Sequence, residues 1–254
     1  MSEEIRQKDI DDGKSVEDCE EAEFDAYAAA YDEGIDNPIR RCVGGDPESF
    51  IEVKADWLLR RCNRLPYFYQ GKNIKLLDYG CGTGIMLRVL RRLGFVGGLT
   101  GCDVSCEMLE QAKKQWPLDP LPELYPMKDG LAPFDDAKFD LIVVSSVLHH
   151  VPVDQRDRTY ADIMRLLKPG GHVCVFEHNP YNPLTQWVVR HTPIDKNAVL
   201  LRPKEVREGL VKAGASRLET AYIMFLPPRF RSLRFFERYF YWLPFAAQYA
   251  VFAL

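Results

Sequence analysis

Residues 71–254 predict an α/β fold built on a mostly parallel sheet, on three observations. The apolar run Ile74 to Leu77 reads as a buried strand, breaks into a glycine turn at Gly80-Cys81-Gly82-Thr83-Gly84, and leads into a helix over Ile85 to Leu93. A second strand, Leu99 to Asp103, follows that helix and ends in an acid. Phe139 to Val144 is a near-continuous apolar run, the pattern of a strand buried on both faces at the centre of a parallel sheet.

The glycine turn carries the chemistry. Glycine is needed where the backbone takes positive φ and approaches a ligand closely, and the open N–H groups of a helix start favour an acceptor oxygen or carboxylate. The spacing here is G-x-G-x-G rather than the G-x-G-x-x-G of a dinucleotide site. Asp78 stands two residues before the first glycine. A carboxylate there repels a pyrophosphate and attracts an amino group. Asp103, closing the second strand, suits ribose hydroxyls. An amino acid joined to a ribose without a phosphate clamp describes S-adenosylmethionine (SAM).

Together with Asp103-Val104-Ser105-Cys106-Glu107-Met108-Leu109, Phe139-Asp140-Leu141-Ile142-Val143-Val144 and Leu166-Leu167-Lys168-Pro169-Gly170-Gly171, the loop resembles the ordered motifs of class I SAM-dependent methyltransferases over roughly residues 72 to 178. The resemblance implies a Rossmann-like sheet of seven strands, the last antiparallel. It also implies a cofactor site at Asp78, Gly80, Cys81, Gly82, Gly84, Asp103 and Ser145. Val104 and Met108 would flank the adenine, or serve as plain core, and Asp129 would accept the adenine amino group. Phe24 to Asp32 looks like the family's entry segment. There Tyr31, and less directly Tyr27, would cover the methionine end, where aromatic faces attract the sulfonium cation; the other reading is a helix packed on the domain.

Composition bounds the rest. At 254 residues, 46% hydrophobic and 28% charged, the chain can bury a sizeable core. A formal net charge of −4 and the lack of a basic groove signature argue against nucleic acid. The acidic start resembles neither a signal nor a transit peptide, and no apolar run reaches the ~18 residues that span a membrane. Seven cysteines without metal-ligand spacing read as reduced thiols of a cytoplasmic protein, with no metal expected.

Along the chain, residues 1–22 read as an acidic disordered tail and 23–70 as a helical cover, with a scaffold helix from Glu48 to Leu65 that repeats Phe50, Val53, Trp57 and Leu58. Ser105 suits a helix cap, and Glu123 to Met127 a short strand. His149 and His150 follow the strand at 139–144, where a cofactor and an acceptor meet. His150 is a candidate general base, and the pair has a structural reading as well. Asp154 to Leu167 predicts a helix stopped by a turn at Lys168-Pro169-Gly170-Gly171. The strand His172 to Phe176 delivers Glu177 and His178 to the same edge. Either could act as a base or order the next loop, and their adjacency on a strand points them to opposite faces.

Two insertions, 179–203 and 227–244, are expected on the acceptor side. In the first, Arg190, His191 and Arg202 add positive charge that suits an anionic acceptor. In the second, Arg229, Arg231, Arg234 and Arg238 interleave with aromatic residues. At 100° per residue this predicts a basic, aromatic helix, docked over the acceptor pocket or lying peripherally in a membrane interface. The expected activity is methyl transfer to a small-molecule or lipid-linked acceptor, such as a quinone precursor, a glycolipid sugar or a polyketide. The alternatives are other chemistry on the same fold, or a silent partner protein.

Overall fold

Seven strands hydrogen-bond into one sheet in the computed structural model, which describes residue 25 and residues 46–65, 74–117 and 120–254. The expected acidic tail, Tyr27 and Tyr31 lie outside the described residues. In chain order the elements are α1 (Pro47–Cys62), β1 (Lys75–Tyr79), α2 (Ile85–Arg92), β2 (Gly98–Asp103), α3 (Cys106–Lys114), β3 (Glu123–Pro126) and β4 (Phe139–Ser145). They continue with α4 (Arg156–Leu166), β5 (Leu167–His178), α5 (Pro183–Arg190), α6 (Pro203–Lys212), β6 (Glu219–Ile223) and β7 (Gln248–Ala253).

The strand order is β3-β2-β1-β4-β5-β7-β6, with β7 antiparallel to both of its neighbours and the other pairings parallel. From β1 the chain winds outward through β2 and β3, then returns to the other side of β1 as β4. The loops after β1 and β4 therefore diverge and leave a crevice at the carboxyl ends, where ligands bind in open α/β sheets.

Alternating side chains divide the core into two layers. Leu76, Leu141, Val143, Cys174 and Phe176 face α1 and α2, and the Trp57 ring meets Phe176 edge-on at 5.9 Å. Leu77, Ile142, Val144, Val173 and Val175 face α4 and α6 through Ile163, Leu166, Val206 and Leu210. On that second face α6 approaches α4 so closely that a Cβ at Gly209 would lie 2.2 Å from the Tyr160 ring. Gly209→Ala would normally gain up to ~1 kcal/mol of helix propensity. Here overpacking, at about 1–3 kcal/mol, outweighs that gain, and a net loss of up to about 2 kcal/mol is expected in denaturant unfolding.

Two expectations are corrected. Lys168 to Gly171 is not a turn between helix and strand: α4 passes directly into β5, and these residues bulge within the strand. Phe139 pairs with Leu167, but Leu141 pairs with His172. Gly170 at φ 81 supplies the bend, and Lys168 reaches Asp140 at 2.8 Å.

The expected α-helix over 227–244 is a 3₁₀ stretch, Pro228–Tyr239, kinked at Phe230. Pro227 and Pro228 bring no N–H to its start, no side chain caps it, and the aromatic residues beyond are weak helix formers. Contacts such as Phe230 N to Pro227 O (2.9 Å) and Phe240 N to Glu237 O (3.0 Å) close three residues apart. At three residues per turn, the faces drawn at 100° do not hold. Instead Phe230, Leu233, Phe236, Tyr239 and Trp242 recur at period three, and all are exposed.

Candidate active site

A cavity of about 450 Å³ occupies the crevice between the loops after β1 and β4. Asp78, Gly80, Cys81, Gly82, Asp103, Val104, Met108, Asp129 and Ser145 all line it, as do His150 and His178. Gly84 lies just behind, in left-handed conformation as the cap of α2.

The loop geometry follows from its glycines. Gly80 turns at φ 73, and a Cβ there would lie 2.6 Å from the Val147 side chain. Gly82 N–H donates to Asp103 Oδ2 at 2.7 Å, while Ser105 N–H donates to Oδ1 at 3.0 Å. Asp103 therefore fixes the loop and the start of α3 together, keeping further lone pairs for a ligand. Burial raises its pKa against these donors. Ser105 caps α3 by accepting from Met108 N (3.1 Å), and its hydroxyl donates to Asp25 Oδ1 at 2.5 Å. This contact ties residue 25 to the cofactor side.

Asp78 is 1% exposed, and its Oδ1 has no hydrogen-bond partner. Burial, with the Asp103 charge beside it, pushes its pKa up to about 7, against the opposing pull of Lys54. A buried oxygen without a partner is expensive, and one that faces a cavity can be satisfied by a donor placed there.

Across the cavity, Glu177 accepts from Leu148 N–H at 2.8 Å and meets His149 Nδ1 at 2.5 Å. On the other side of His149, Nε2 lies 3.6 Å from Asp195 Oδ1, and His150 Nε2 lies 3.5 Å from the same oxygen. Burial disfavours the His149 charge, but Glu177 and Asp195 outweigh it and push the pKa up to about 9. Burial and the charge on His149 push His150 down to about 4 and His178 down to about 3. Glu177 and Asp195 are both lowered, because His149 overcomes their desolvation.

The adjacent candidates on β5 divide as their alternation requires. His178 lines the cavity, while Glu177 is fully buried behind His149. Glu177 does not line the cavity; it holds the His149 ring from behind.

Several expectations fail on geometry. Arg190 bonds Gln186 at 3.3 Å, Arg202 is exposed beside Glu205, and the His191 ring stacks on Trp187 at 4.4 Å. None of the three lines the cavity. Among the described residues, Cys62, Cys81, Cys102 and Cys174 are buried free thiols.

Two site residues escaped the sequence reading. Lys54, on the helix taken as scaffold, is 2% exposed and donates to Ser145 Oγ (3.1 Å) and Ser146 Oγ (2.8 Å) at the cavity wall. Its signal was present: it falls four residues after Phe50, inside the apolar stripe, where a charge needs a buried partner. Asp195 had no such local signal. Its turn is held by Val199 N–H donating to His149 O at 2.8 Å.

A methyltransferase domain profile matches residues 77–175. A 2-phytyl-1,4-naphtoquinone methyltransferase of Nostoc punctiforme is 37% identical over 114 residues, 42% of this chain and 48% of the relative. A demethylmenaquinone methyltransferase of Lactobacillus johnsonii is 33% identical over 113 residues, 42% of this chain and 46% of the relative. The chain thus spans about half the length of these curated relatives.

Among solved structures, a SAM-dependent methyltransferase from Thermotoga maritima superposes with a TM-score of 0.62 at 18% identity, covering 91% of this chain and 97% of the other. One from Aquifex aeolicus gives 0.56 at 16%, covering 90% and 97%. Residues 77–175 thus carry a methyltransferase domain match, and seven strands in this order with β7 antiparallel give the chain the fold of the class I SAM-dependent methyltransferases.

Proposed function

We propose that this protein transfers a methyl group from SAM to an apolar small-molecule or lipid-linked acceptor. The observation that carries the reading is Asp78, a buried carboxylate with a partnerless oxygen, standing beside the glycine loop. The methionine ammonium of SAM would satisfy that oxygen. The open backbone of Gly80 to Gly84 lets the ligand approach, Asp103 offers its remaining lone pairs to the ribose, and Val104, Met108 and Asp129 enclose the adenine. SAM supplies an electrophilic methyl group on a sulfonium.

The acceptor side is largely apolar, with Phe50, Ile51, Val147, Val188, Ile194 and Met224 around the polar cluster. His149 keeps its proton to about pH 9 and is no base at neutral pH. His150 and His178 remain neutral and only weakly basic. They suit an acceptor that is already acidic, such as a phenol or an enol. Most of the acceleration then comes from alignment and water exclusion, which can supply ~7–11 kcal/mol. The quinone methyltransferases among the relatives agree with such an acceptor. The decisive assay incubates the protein with SAM and a phenolic or quinol panel and reads product mass; S-adenosylhomocysteine without any methylated product would overturn the reading.

Peripheral membrane contact belongs to the same proposal. Among the described residues no helix is long and apolar enough to cross a membrane. The exposed period-three row ending at Trp242 is rich in aromatics, and residues 228–242 hold four arginines against one glutamate. That combination suits an anionic lipid surface. Leu184, which lines the cavity, is itself 55% exposed. Asn182 at the start of α5 donates to Phe245 O at 2.8 Å, linking this rim to the aromatic segment. Replacing Phe236, Tyr239 and Trp242 by serine is expected to abolish co-sedimentation with phosphatidylglycerol vesicles while SAM affinity is unchanged. A wild type that never sediments contradicts the membrane reading.

A further inference from the structure

We infer that His149, His150 and Asp195 form a binding site for a divalent transition-metal cation of the zinc class, in the acceptor half of the cavity. One ligand atom from each residue lies within 4.8 Å of the other two. Both histidine Nε2 atoms sit 3.5–3.6 Å from Asp195 Oδ1. Ligands at the ~2.0–2.2 Å radius of a tetrahedral zinc stand about 3.3–3.5 Å apart. Two of the three separations are therefore at ligand spacing before any ion arrives.

His149 supplies the independent observation. Its ring is 1% exposed, and Nε2 has no hydrogen-bond partner although it points toward Asp195. Its Nδ1 is already held by Glu177 at 2.5 Å. That carboxylate–histidine arrangement fixes the ring and leaves Nε2 as the coordinating atom, as in known metal sites. On binding, the cation displaces the Nε2 proton to solvent.

Two nitrogens and one carboxylate oxygen suit zinc or cobalt better than magnesium or calcium, which favour all-oxygen shells. Three protein ligands leave a coordination position open, as catalytic zinc sites do. His150 and Asp195 both line the cavity, so that position faces the acceptor space. Resting on the methyl-transfer reading, the cation would take an acceptor hydroxyl or enol oxygen and favour loss of its proton.

The test uses the full chain without an affinity tag, stripped with a chelator. Zinc binding is read by calorimetry, and cobalt binding by its visible ligand-field bands. We expect one equivalent bound, with intense bands of low-coordinate cobalt. Affinity should fall at least ~10-fold in Asp195→Asn and again in His150→Gln. Both sites are partly accessible, so these variants are expected to fold, and a parallel SAM titration checks the cofactor half independently. A wild type that binds cobalt no more tightly than the double variant overturns the metal site, even where SAM binding is intact. So does cobalt binding that survives the double variant but is lost on blocking cysteine thiols.

Discussion

Asp78→Asn is expected to weaken SAM binding by about 30-fold or more and, in the same protein, to raise the stability of the ligand-free fold. The first effect follows from removing one partner of a buried charge pair, which costs about 2–5 kcal/mol. The second follows from the raised pKa, moved by burial and the neighbouring Asp103 from 3.8 to about 7. A raised acid favours the fold when protonated. Its contribution is therefore most favourable below pH 3.8, is lost as pH rises towards 7, and by pH 8 amounts to a penalty on the order of 4 kcal/mol. Asparagine carries no charge and escapes that penalty. The melting temperature of Asp78→Asn should exceed that of wild type by several degrees at pH 8, and by less at pH 5. SAM affinity of the wild type should rise with pH through about 7, while that of the variant stays flat. A variant that melts below wild type at pH 8 would contradict the assignment.

The opposite sign is expected at the other end of the crevice. Glu177→Gln removes the charge that holds His149, in a pair buried to 0% and 1% exposure. Breaking such a pair costs about 3–5 kcal/mol, or roughly 6–20 °C in melting temperature for a chain of this size. The pH dependence carries its own sign. His149 is raised from 6.5 to about 9, so its stabilisation is fully present below pH 6.5 and is lost as pH rises through 9. The gap between variant and wild type should therefore narrow above pH 9. Equal melting temperatures at pH 7 would mean that the Glu177–His149 contact contributes nothing. Two buried acids at the same sheet edge thus differ: Glu177 is neutralised within the protein, whereas Asp78 Oδ1 has no partner there.

These contrasts also mark what the sequence could express. The strand, glycine turn and helix over Ile74 to Arg92 depend on local rules, namely strand alternation, positive φ at glycine and helix periodicity. They were legible residue by residue, as was Asp103. The acceptor half was legible only in part. His149, His150, Glu177 and His178 lie at strand ends and could be placed at one edge, but which carboxylate holds which ring is settled by packing between β4 and β5. Lys54 is a charge within an apolar stripe, a pattern that signals a buried partner but does not name it. Asp195 meets His149 at a sequence separation of 46, and nothing in its neighbourhood announces that contact. The aromatic segment failed for a geometric reason: its true period is nearer 3.0 than 3.6 residues, so the faces inferred from the helix period were wrong although its residues were correctly singled out.

The most direct test is calorimetric titration of the purified full chain with SAM, and separately with NAD, at pH 8. The account predicts SAM binding in the micromolar range at one site, no heat with NAD, and loss of the SAM signal in Asp78→Asn. A folded wild-type protein that binds no SAM, or an Asp78→Asn variant that binds it as tightly as wild type, would contradict it.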